Sequence, residues 1–213
     1  VDLDFEAELT GFSLAEVDLV LDAARERAPA GRSEANDAIP AMPAVPVTRP
    51  GDIWQLGRHR LVCGDARDGD VLDALLDGET VDLIFTDPPY NIPIGGFVSG
   101  HGRVRHGDFS MGTGEMTATA YTGFLQQSLA VAASHCRDGA IAFVCMDWRH
   151  MREMLDAGDS VFSELKNLCV WNKTNGGLGS FYRSKHELVF VYKIGTADHP
   201  NTFRLGGTGR HRT

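Results

Sequence analysis

Apolar residues along the chain fall into two patterns, short continuous runs and helically spaced stripes. The continuous runs predict β-strands at residues 60–65, 81–87, 140–147, 165–173 and 186–194. Stripes that recur every three or four residues predict helices at residues 68–78, 117–139 and 148–158. This alternation is typical of an α/β fold with a mostly parallel sheet and right-handed crossovers. No helix separates the last two strands, so we expect them to form an antiparallel hairpin at one edge.

The N-terminal region has a different pattern. Residues 11–28 carry a helical stripe, and Ser13 and Glu16 fit the capping box that begins a helix. Prolines at positions 29, 40, 43, 46 and 50 then indicate a semi-rigid linker. We therefore expect an N-terminal helix at 1–28, which would be the tail of an upstream domain, a linker at 29–50, and the main α/β portion at 51–213.

Acidic residues stand at the ends of three predicted strands. Asp65, Asp87 and Asp147 each follow an apolar run. Because ligands of open α/β sheets bind beyond the carboxyl ends of the strands, the pattern predicts three carboxylates on one rim. Each of them can instead be a helix cap, above all Asp147, which precedes a predicted helix.

The sequence "VDLIFTDPPYNI" (81–92) ends a buried strand abruptly. Proline has no N–H for a sheet and fixes its own φ, so Asp87-Pro88-Pro89-Tyr90 must leave the strand as a stiff segment. Such a segment can present a carboxylate and an aromatic ring in fixed positions. The stretch from Pro88 to Met116 contains seven glycines and little periodicity, as is typical of a functional or mobile loop.

Charge is distributed unevenly along a chain whose formal net charge is −9. Residues 1–48 hold ten acids, whereas lysines and arginines outnumber acids from Lys166 onward. A polyanion could approach this basic third, although a solvated face explains the same bias. The four cysteines form no CxxC pair and the histidines have no ligand spacing, so we expect buried thiols in a reducing compartment and no metal. No apolar run approaches the roughly 18 residues that span a bilayer, and the acidic start differs from a signal peptide.

The "TDPPYN" stretch resembles motif IV of the DNA methyltransferases that modify exocyclic amino groups, N6 of adenine or N4 of cytosine. The flanking "GRHRLVCGDA", "FVCMDW" and "LCVWNKTNGG…FYRSKHELVFVYK" are similar to the segments around that motif, and their order resembles the β group. The likeness runs from about Gly51 to Ile194. It implies a Rossmann-like, S-adenosylmethionine-dependent methyltransferase fold. The N-terminal "LTGFSLAEVDLVLD" resembles the junction that follows a ParB-like domain in bacterial or phage fusion proteins, which implies a cytoplasmic location.

One family feature is missing from the sequence. Members of the family carry an FxGxG-type loop that holds the methionine portion of the cofactor. Here "NGGLGS" (175–180) leads into a strand, and "LGGTGRHRT" (205–213) has no strand before it. We therefore expect the chain to be a portion of a longer protein, with an incomplete fold, and leave open whether it binds the cofactor alone.

The resemblance also implies a role for individual residues. Asp87 and the Pro88 carbonyl would accept the two hydrogens of the amino group, Pro89 would add rigidity, and Tyr90 would stack on a flipped base. Phe181 and Tyr182 resemble the second stacking position. The cofactor would be bound by Asp65, Ala66, Asp87, Asp147 and Trp148. Weaker DNA contacts are expected from Arg103, Arg105, Lys173, Arg183 and Lys185.

These features together predict a site-specific methyltransferase that acts on double-stranded DNA in a restriction–modification setting, with S-adenosylmethionine as cofactor. Aspartate rather than serine at the first motif position favours adenine N6 over cytosine N4, and family habit suggests a homodimer. Glutamine methyltransferases usually carry asparagine at that position, so Asp87 disfavours them. The alternative is a catalytically incompetent DNA-binding or assembly module with a degenerate site, which the missing glycine loop favours.

Overall fold

The computed structural model describes residues 45–93, 110–173 and 184–200. The chain divides into two compact units, Val1–Val47 and Thr48–Thr213, and every element named below belongs to the second. The predicted N-terminal helix and most of the predicted linker lie outside the described residues. In chain order the elements are β1 (Ile53–Leu56), β2 (His59–Val62), α1 (Gly69–Leu76), β3 (Val81–Thr86), α2 (Ala118–Ser134), β4 (Cys136–Met146), a 3-10 turn (Trp148–His150), α3 (Met151–Val161), β5 (Glu164–Asn172) and β6 (His186–Lys193).

The main sheet has four strands in the order β3-β4-β6-β5. Strands β3 and β4 are parallel, with Phe85 opposite Phe143, whereas β6 runs antiparallel to both β4 and β5. The α/β class and the antiparallel hairpin at one edge are thus confirmed. Among the described strands, the predicted parallel pairing is found between β3 and β4.

The first predicted strand was assigned to the wrong sheet. Strand β2 does not join the main sheet but pairs antiparallel with β1, a strand that the hydrophobic pattern did not predict. The physical reason is the turn between them, where Gly57 adopts φ +64°. A glycine in this left-handed region allows a tight hairpin, and a hairpin closes locally whereas a parallel pairing needs a long crossover.

The predicted helix at 117–139 is shorter than expected. It ends at Ser134, and β4 begins at Cys136, which pairs with Val81 of β3. Gly139 is therefore not a helix cap, as its position in the sequence suggested, but a residue of β4 with φ +84°. A Cβ there would lie 2.6 Å from the carbonyl oxygen of Asp198, so glycine permits the close approach of the segment after β6.

The core lies between one face of the sheet and helices α2 and α3. Alternate residues of β4 and β6 face these helices, since side chains alternate across a strand. The buried cluster consists of Tyr121, Leu125, Leu129, Ala142, Val144, Met146, Met154, Ala157, Phe162, Leu188, Phe190 and Tyr192. On the opposite face, Leu83 and Phe85 of β3 are 52% and 68% exposed within the described part of the chain.

Two smaller expectations concern the thiols and the membrane. All four cysteines are free, but only Cys145 is buried, and Cys63, Cys136 and Cys169 are half-buried. The expectation of four buried thiols was therefore too broad. No helix of residues 45–93, 110–173 or 184–200 has the length and apolar character needed to cross a bilayer.

The contact between α3 and β6 yields a stability prediction. A Cβ on Gly158 would overlap the Tyr192 ring, which is fixed in the core and cannot swing away. We expect Gly158→Ala to lower the free energy of unfolding by about 1–3 kcal/mol. Gly123→Ala is the control, because nothing lies within 4 Å of its Cβ position on α2, and it should be neutral or stabilising by up to about 1 kcal/mol. Urea unfolding of both variants measures the difference; equal midpoints would contradict this packing.

Candidate functional site

The candidate site lies at the carboxyl end of the parallel pair of strands. Strand β3 ends at Thr86, which pairs with Val144, two residues before the end of β4. Asp87 and Asp147, which follow the two strands, therefore stand at the same edge of the sheet. Asp65 does not share this rim through the sheet, because β2 belongs to the separate hairpin. The prediction of three carboxylates at three neighbouring strand ends was wrong in that respect.

Asp87 and Tyr90 are joined by a hydrogen bond. The Tyr90 hydroxyl donates to Oδ1 of the Asp87 carboxylate. Asp87 is exposed, and Tyr90 is half-buried against the core. Burial raises the pKa of Tyr90 far above its usual value, and the Asp87 carboxylate adds to this effect. The phenol therefore stays a donor, while Oδ2 of Asp87 accepts no hydrogen bond from the described residues.

A hydrogen bond to its backbone holds the proline pair in place. The Tyr121 hydroxyl donates to the Pro89 carbonyl oxygen at 2.8 Å. The Pro88 carbonyl, in contrast, accepts no hydrogen bond from the residues that the structure describes. Two unengaged acceptors, Oδ2 of Asp87 and the oxygen of Pro88, thus remain within one stiff segment.

Asn91 closes the segment on its other side. It adopts φ +54°, a conformation that asparagine tolerates better than most residues, and is only 6% exposed. Its side chain donates to the Met116 carbonyl at 2.9 Å and accepts from the amides of Gly114 and Met116, both at 3.1 Å. Three of the four hydrogen-bonding positions of the amide are therefore used to attach the chain after Tyr90 to residues 114–116.

Cys145 on β4 lies near two carboxylates, that of Asp87 and that of Glu187 on β6. Burial raises the pKa of the Cys145 thiol, and the charges of Asp87 and Glu187 raise it further. The Glu187 side chain, 13% exposed, pairs with the Lys173 ammonium at 2.6 Å. Lys173, predicted to contact DNA, therefore has its charge directed to Glu187, whereas Lys185 is exposed.

Asp65 is connected to the site region through the Arg67 side chain and not through the main sheet. Its carboxylate accepts from the Arg67 side chain, with Nη2 at 2.6 Å, and this hydrogen bonding lowers the pKa of Asp65 to about 2. The Arg67 guanidinium lies 5.3 Å from the Phe124 ring centroid, and Phe124 stacks on Tyr121, which holds Pro89. Ala66 is exposed between the two charged residues.

Asp147 and Trp148 form the other side of the edge. Asp147 accepts from the Arg149 amide at 2.9 Å and from the Arg149 guanidinium at 3.1 Å. It therefore caps the 3-10 turn, which is the alternative that the sequence left open. Trp148 is 43% exposed, and its indole N–H donates to the Ser184 hydroxyl at 3.0 Å.

The remaining predicted residues lie outside the described part of the chain, namely Phe181, Tyr182, Arg103, Arg105 and Arg183. Sequence reasoning missed three contributors, Tyr121, Asn91 and Cys145. The only signal was for Asn91, which directly follows the Asp-Pro-Pro-Tyr run. Within residues 45–93, 110–173 and 184–200, no cluster of three or more potential metal ligands occurs.

Comparisons with known proteins cover most of the chain. Residues 81–204 match the family model described as DNA methylase, of the N6/N4 type, and residues 1–50 match the model described as ParB-methyltransferase HTH domain. No curated protein matches.

Two solved structures are also similar. The crystal structure of M1.HpyAVI is 17% identical over 56% of this chain and 47% of its own, with a TM-score of 0.37. The M1.HpyAVI–SAM complex is 15% identical over 59% of this chain and 50% of its own, with a TM-score of 0.38. The chain therefore spans about half the length of these structures.

The buried phenols predict the response to alkali. Burial is the largest cause that raises the pKa of Tyr90, Tyr121 and Tyr192 above the ordinary 10.0. Their contribution to stability is complete below about pH 10 and is lost as the pH rises, because the unfolded chain then releases protons that the folded chain keeps. In a Tyr182→Phe variant, phenolate absorbance should appear only together with the loss of circular dichroism. Gradual phenolate formation in the folded protein would contradict this burial.

Proposed function

The chain belongs to the N6/N4 DNA methylase family, and from this we propose that it transfers a methyl group from S-adenosylmethionine to an exocyclic amino group of a base in duplex DNA, adenine N6 in preference to cytosine N4. The observation that carries the proposal is a pair of acceptors after β3 to which no described residue donates a hydrogen bond. One is Oδ2 of the exposed Asp87 carboxylate and the other is the carbonyl oxygen of Pro88, next to the fixed Pro89.

The amino nitrogen of a base is a poor nucleophile, because its lone pair is delocalised into the ring. Asp87 can accept one of its hydrogens and the Pro88 carbonyl the other. Two acceptors at fixed positions favour the pyramidal nitrogen of the transition state over the planar ground state. The stiffness of the proline pair makes this preference possible, since a flexible segment would follow the planar substrate equally well.

Tyr90 has two functions in this proposal. Its hydroxyl orients the carboxylate of Asp87, and its half-buried ring leaves part of its surface for a base. A base within a duplex cannot reach the sheet edge, so it must be flipped out at a cost of a few kcal/mol. Stacking on an aromatic ring offsets this cost by about 1–3 kcal/mol. Phe181 and Tyr182 stay predicted as a second stacking position.

The side chains near this sheet edge are of chemical types that can bind S-adenosylmethionine. Asp65 carries an exposed carboxylate for the adenine portion of the cofactor. Trp148 offers a 43% exposed ring at the same sheet edge as Asp87, with the Arg149 guanidinium 4.8 Å from its centroid. Arg67 pairs with Asp65 at an exposed position, where an ion pair contributes little, so a ligand can displace it. The pair of Arg149 and Asp147 is more shielded and holds the 3-10 turn in place. The cofactor, when bound, supplies an electrophilic methyl group on a sulfonium.

Duplex DNA is the proposed partner. The match of residues 1–50 to the ParB-methyltransferase HTH domain supports it, and so does the basic C-terminal third. The target sequence, a homodimer and a place in a restriction–modification system are further predictions that these observations leave to experiment.

The central test replaces Asp87. We expect Asp87→Asn in the full-length protein to lower methyl transfer by about 100-fold or more, because the amide lacks the charge that polarises the amino group. Asp82→Asn is the matched control, since Asp82 lies near the start of β3, the strand that Asp87 follows, and pairs with Arg137 away from the site. Transfer is measured with labelled S-adenosylmethionine and unmethylated genomic duplex DNA, and digestion of the product identifies the modified base.

The outcomes separate the two readings of the chain. Equal transfer by wild type and Asp87→Asn would eliminate the assigned role of the carboxylate. DNA binding without any transfer by the wild type would favour the incompetent DNA-binding module. Label in N4-methylcytosine alone would correct the preferred base.

Tyr90 gives a second test. Tyr90→Phe keeps the ring and removes the donor to Asp87, so we expect about a tenfold loss of transfer, as for one hydrogen bond to a charged group. Tyr90→Ala should lose more, by the additional 1–3 kcal/mol or so of base stacking. Both variants are assayed as above. A Tyr90→Phe protein with the activity of the alanine variant would show that the ring contributes nothing.

A further inference from the structure

The Tyr121 hydroxyl connects three elements at the candidate site. Tyr121 lies in the first turn of α2, is completely buried, and contacts a segment 32 positions away in the sequence. Its hydroxyl donates to the Pro89 carbonyl at 2.8 Å and lies 3.4 Å from the sulfur of Met146, the last residue of β4. The carbonyl is the stronger acceptor of the two, so the proton belongs to the bond with Pro89.

The surroundings of Tyr121 fix both its position and its protonation. Its ring stacks on Phe124, at a centroid distance of 6.2 Å, and meets His150 edge-on at 5.0 Å. Burial raises the pKa of Tyr121 well above the ordinary value, and the carboxylates of Glu153 and Asp147 raise it further. The hydroxyl is therefore a permanent donor in a fixed place.

The hydrogen bond from Tyr121 to the Pro89 carbonyl also restrains the carbonyl of Pro88, the preceding residue. Rings fix φ at both Pro88 and Pro89, so the direction of the Pro88 carbonyl depends on the few dihedral angles that remain free. The contact between Tyr90 and Asp87 restrains the two ends of the segment, and Tyr121 restrains its middle through the Pro89 oxygen. Neither proline has an N–H with which the backbone could hold itself in place.

We propose that Tyr121 is a positioning residue, which through the Pro89 carbonyl directs the Pro88 carbonyl toward the amino group of the substrate base. The inference rests on the proposed methyl transfer and extends it to a residue of α2 that touches no substrate. A misdirected acceptor should slow the methyl-transfer step and leave the binding of S-adenosylmethionine unchanged.

The chain offers a matched control in Tyr192. This residue is 1% exposed, and its hydroxyl donates to the main-chain carbonyl of Met154 at 3.2 Å. Tyr192→Phe therefore removes the same chemical group, from the same kind of hydrogen bond, between β6 and α3 rather than beneath the proline pair. Any general effect of removing a buried hydroxyl should be shared by both variants.

The experiment compares Tyr121→Phe, Tyr192→Phe and wild type as full-length proteins, with labelled S-adenosylmethionine and saturating unmethylated genomic duplex DNA, below the unfolding temperature of each. We expect kcat to fall about tenfold in Tyr121→Phe, as for a small misplacement of a reacting group, with an unchanged KM for S-adenosylmethionine. Tyr192→Phe should retain the wild-type kcat. Equal kcat values for the two variants, or a fall confined to KM, would overturn the inference.

A second measurement needs no turnover. Amide hydrogen exchange at Gly114 and Met116, which donate to the Asn91 side chain, should become faster in Tyr121→Phe but not in Tyr192→Phe, because the segment that carries Asn91 loses its central restraint. Unchanged exchange would also overturn the positioning role. A wild-type protein that transfers no methyl group would overturn the proposed function, and the exchange result would still decide whether Tyr121 restrains the segment.

Discussion

Two consecutive prolines at the end of a parallel strand impose the constraint on which the rest of the site depends. They cannot extend β3, because neither has an N–H to donate, and so side chains from elsewhere must hold the segment in place. The Tyr121 hydroxyl donates to the Pro89 carbonyl, and the Asn91 side chain bonds to residues 114–116. The Tyr90 hydroxyl donates to the Asp87 carboxylate. The Pro89 carbonyl is thus satisfied by a side chain rather than by a neighbouring strand.

The carboxylates near the sheet edge differ in the partners that they bind. Asp65 and Asp147 each pair with an arginine two positions later, whereas Asp87 has only the neutral Tyr90 hydroxyl as partner among the described residues. The nearby Glu187 carries a further negative charge, which Lys173 balances. Asp87 thus keeps one oxygen, Oδ2, to which no described residue donates, as an acceptor for an amino group requires.

How far the sequence predicts this protein depends on whether the relevant interactions are local. Strands β3, β5 and β6 were predicted to within about a residue, because continuous apolar runs bounded by polar residues are a local signal. Asp87 and Tyr90 were found for a similar reason, since proline chemistry acts on neighbouring residues. Strand β1, and with it the pairing of β2, was missed because the exposed residues of β1 produce no buried run. The end of α2 was misplaced because a pairing with Val81 overrides the glycine signal. The role of Tyr121 could not be predicted, because its partner, Pro89, lies 32 positions away along the chain.

The attachment of Asn91 to Gly114 and Met116 brings the two ends of the intervening stretch together. Once the ends are tied, the entropy of the stretch depends only weakly on its length, and doubling it costs about 0.6 kcal/mol. Insertions or deletions between Pro93 and Ser110 should therefore leave Asp87, Tyr90 and Asn91 in place, whereas Gly112 must remain glycine because a Cβ there would lie 2.8 Å from the Pro89 side chain. The length of the chain between these two attachment points can thus vary in evolution while the Asp-Pro-Pro-Tyr segment keeps its position.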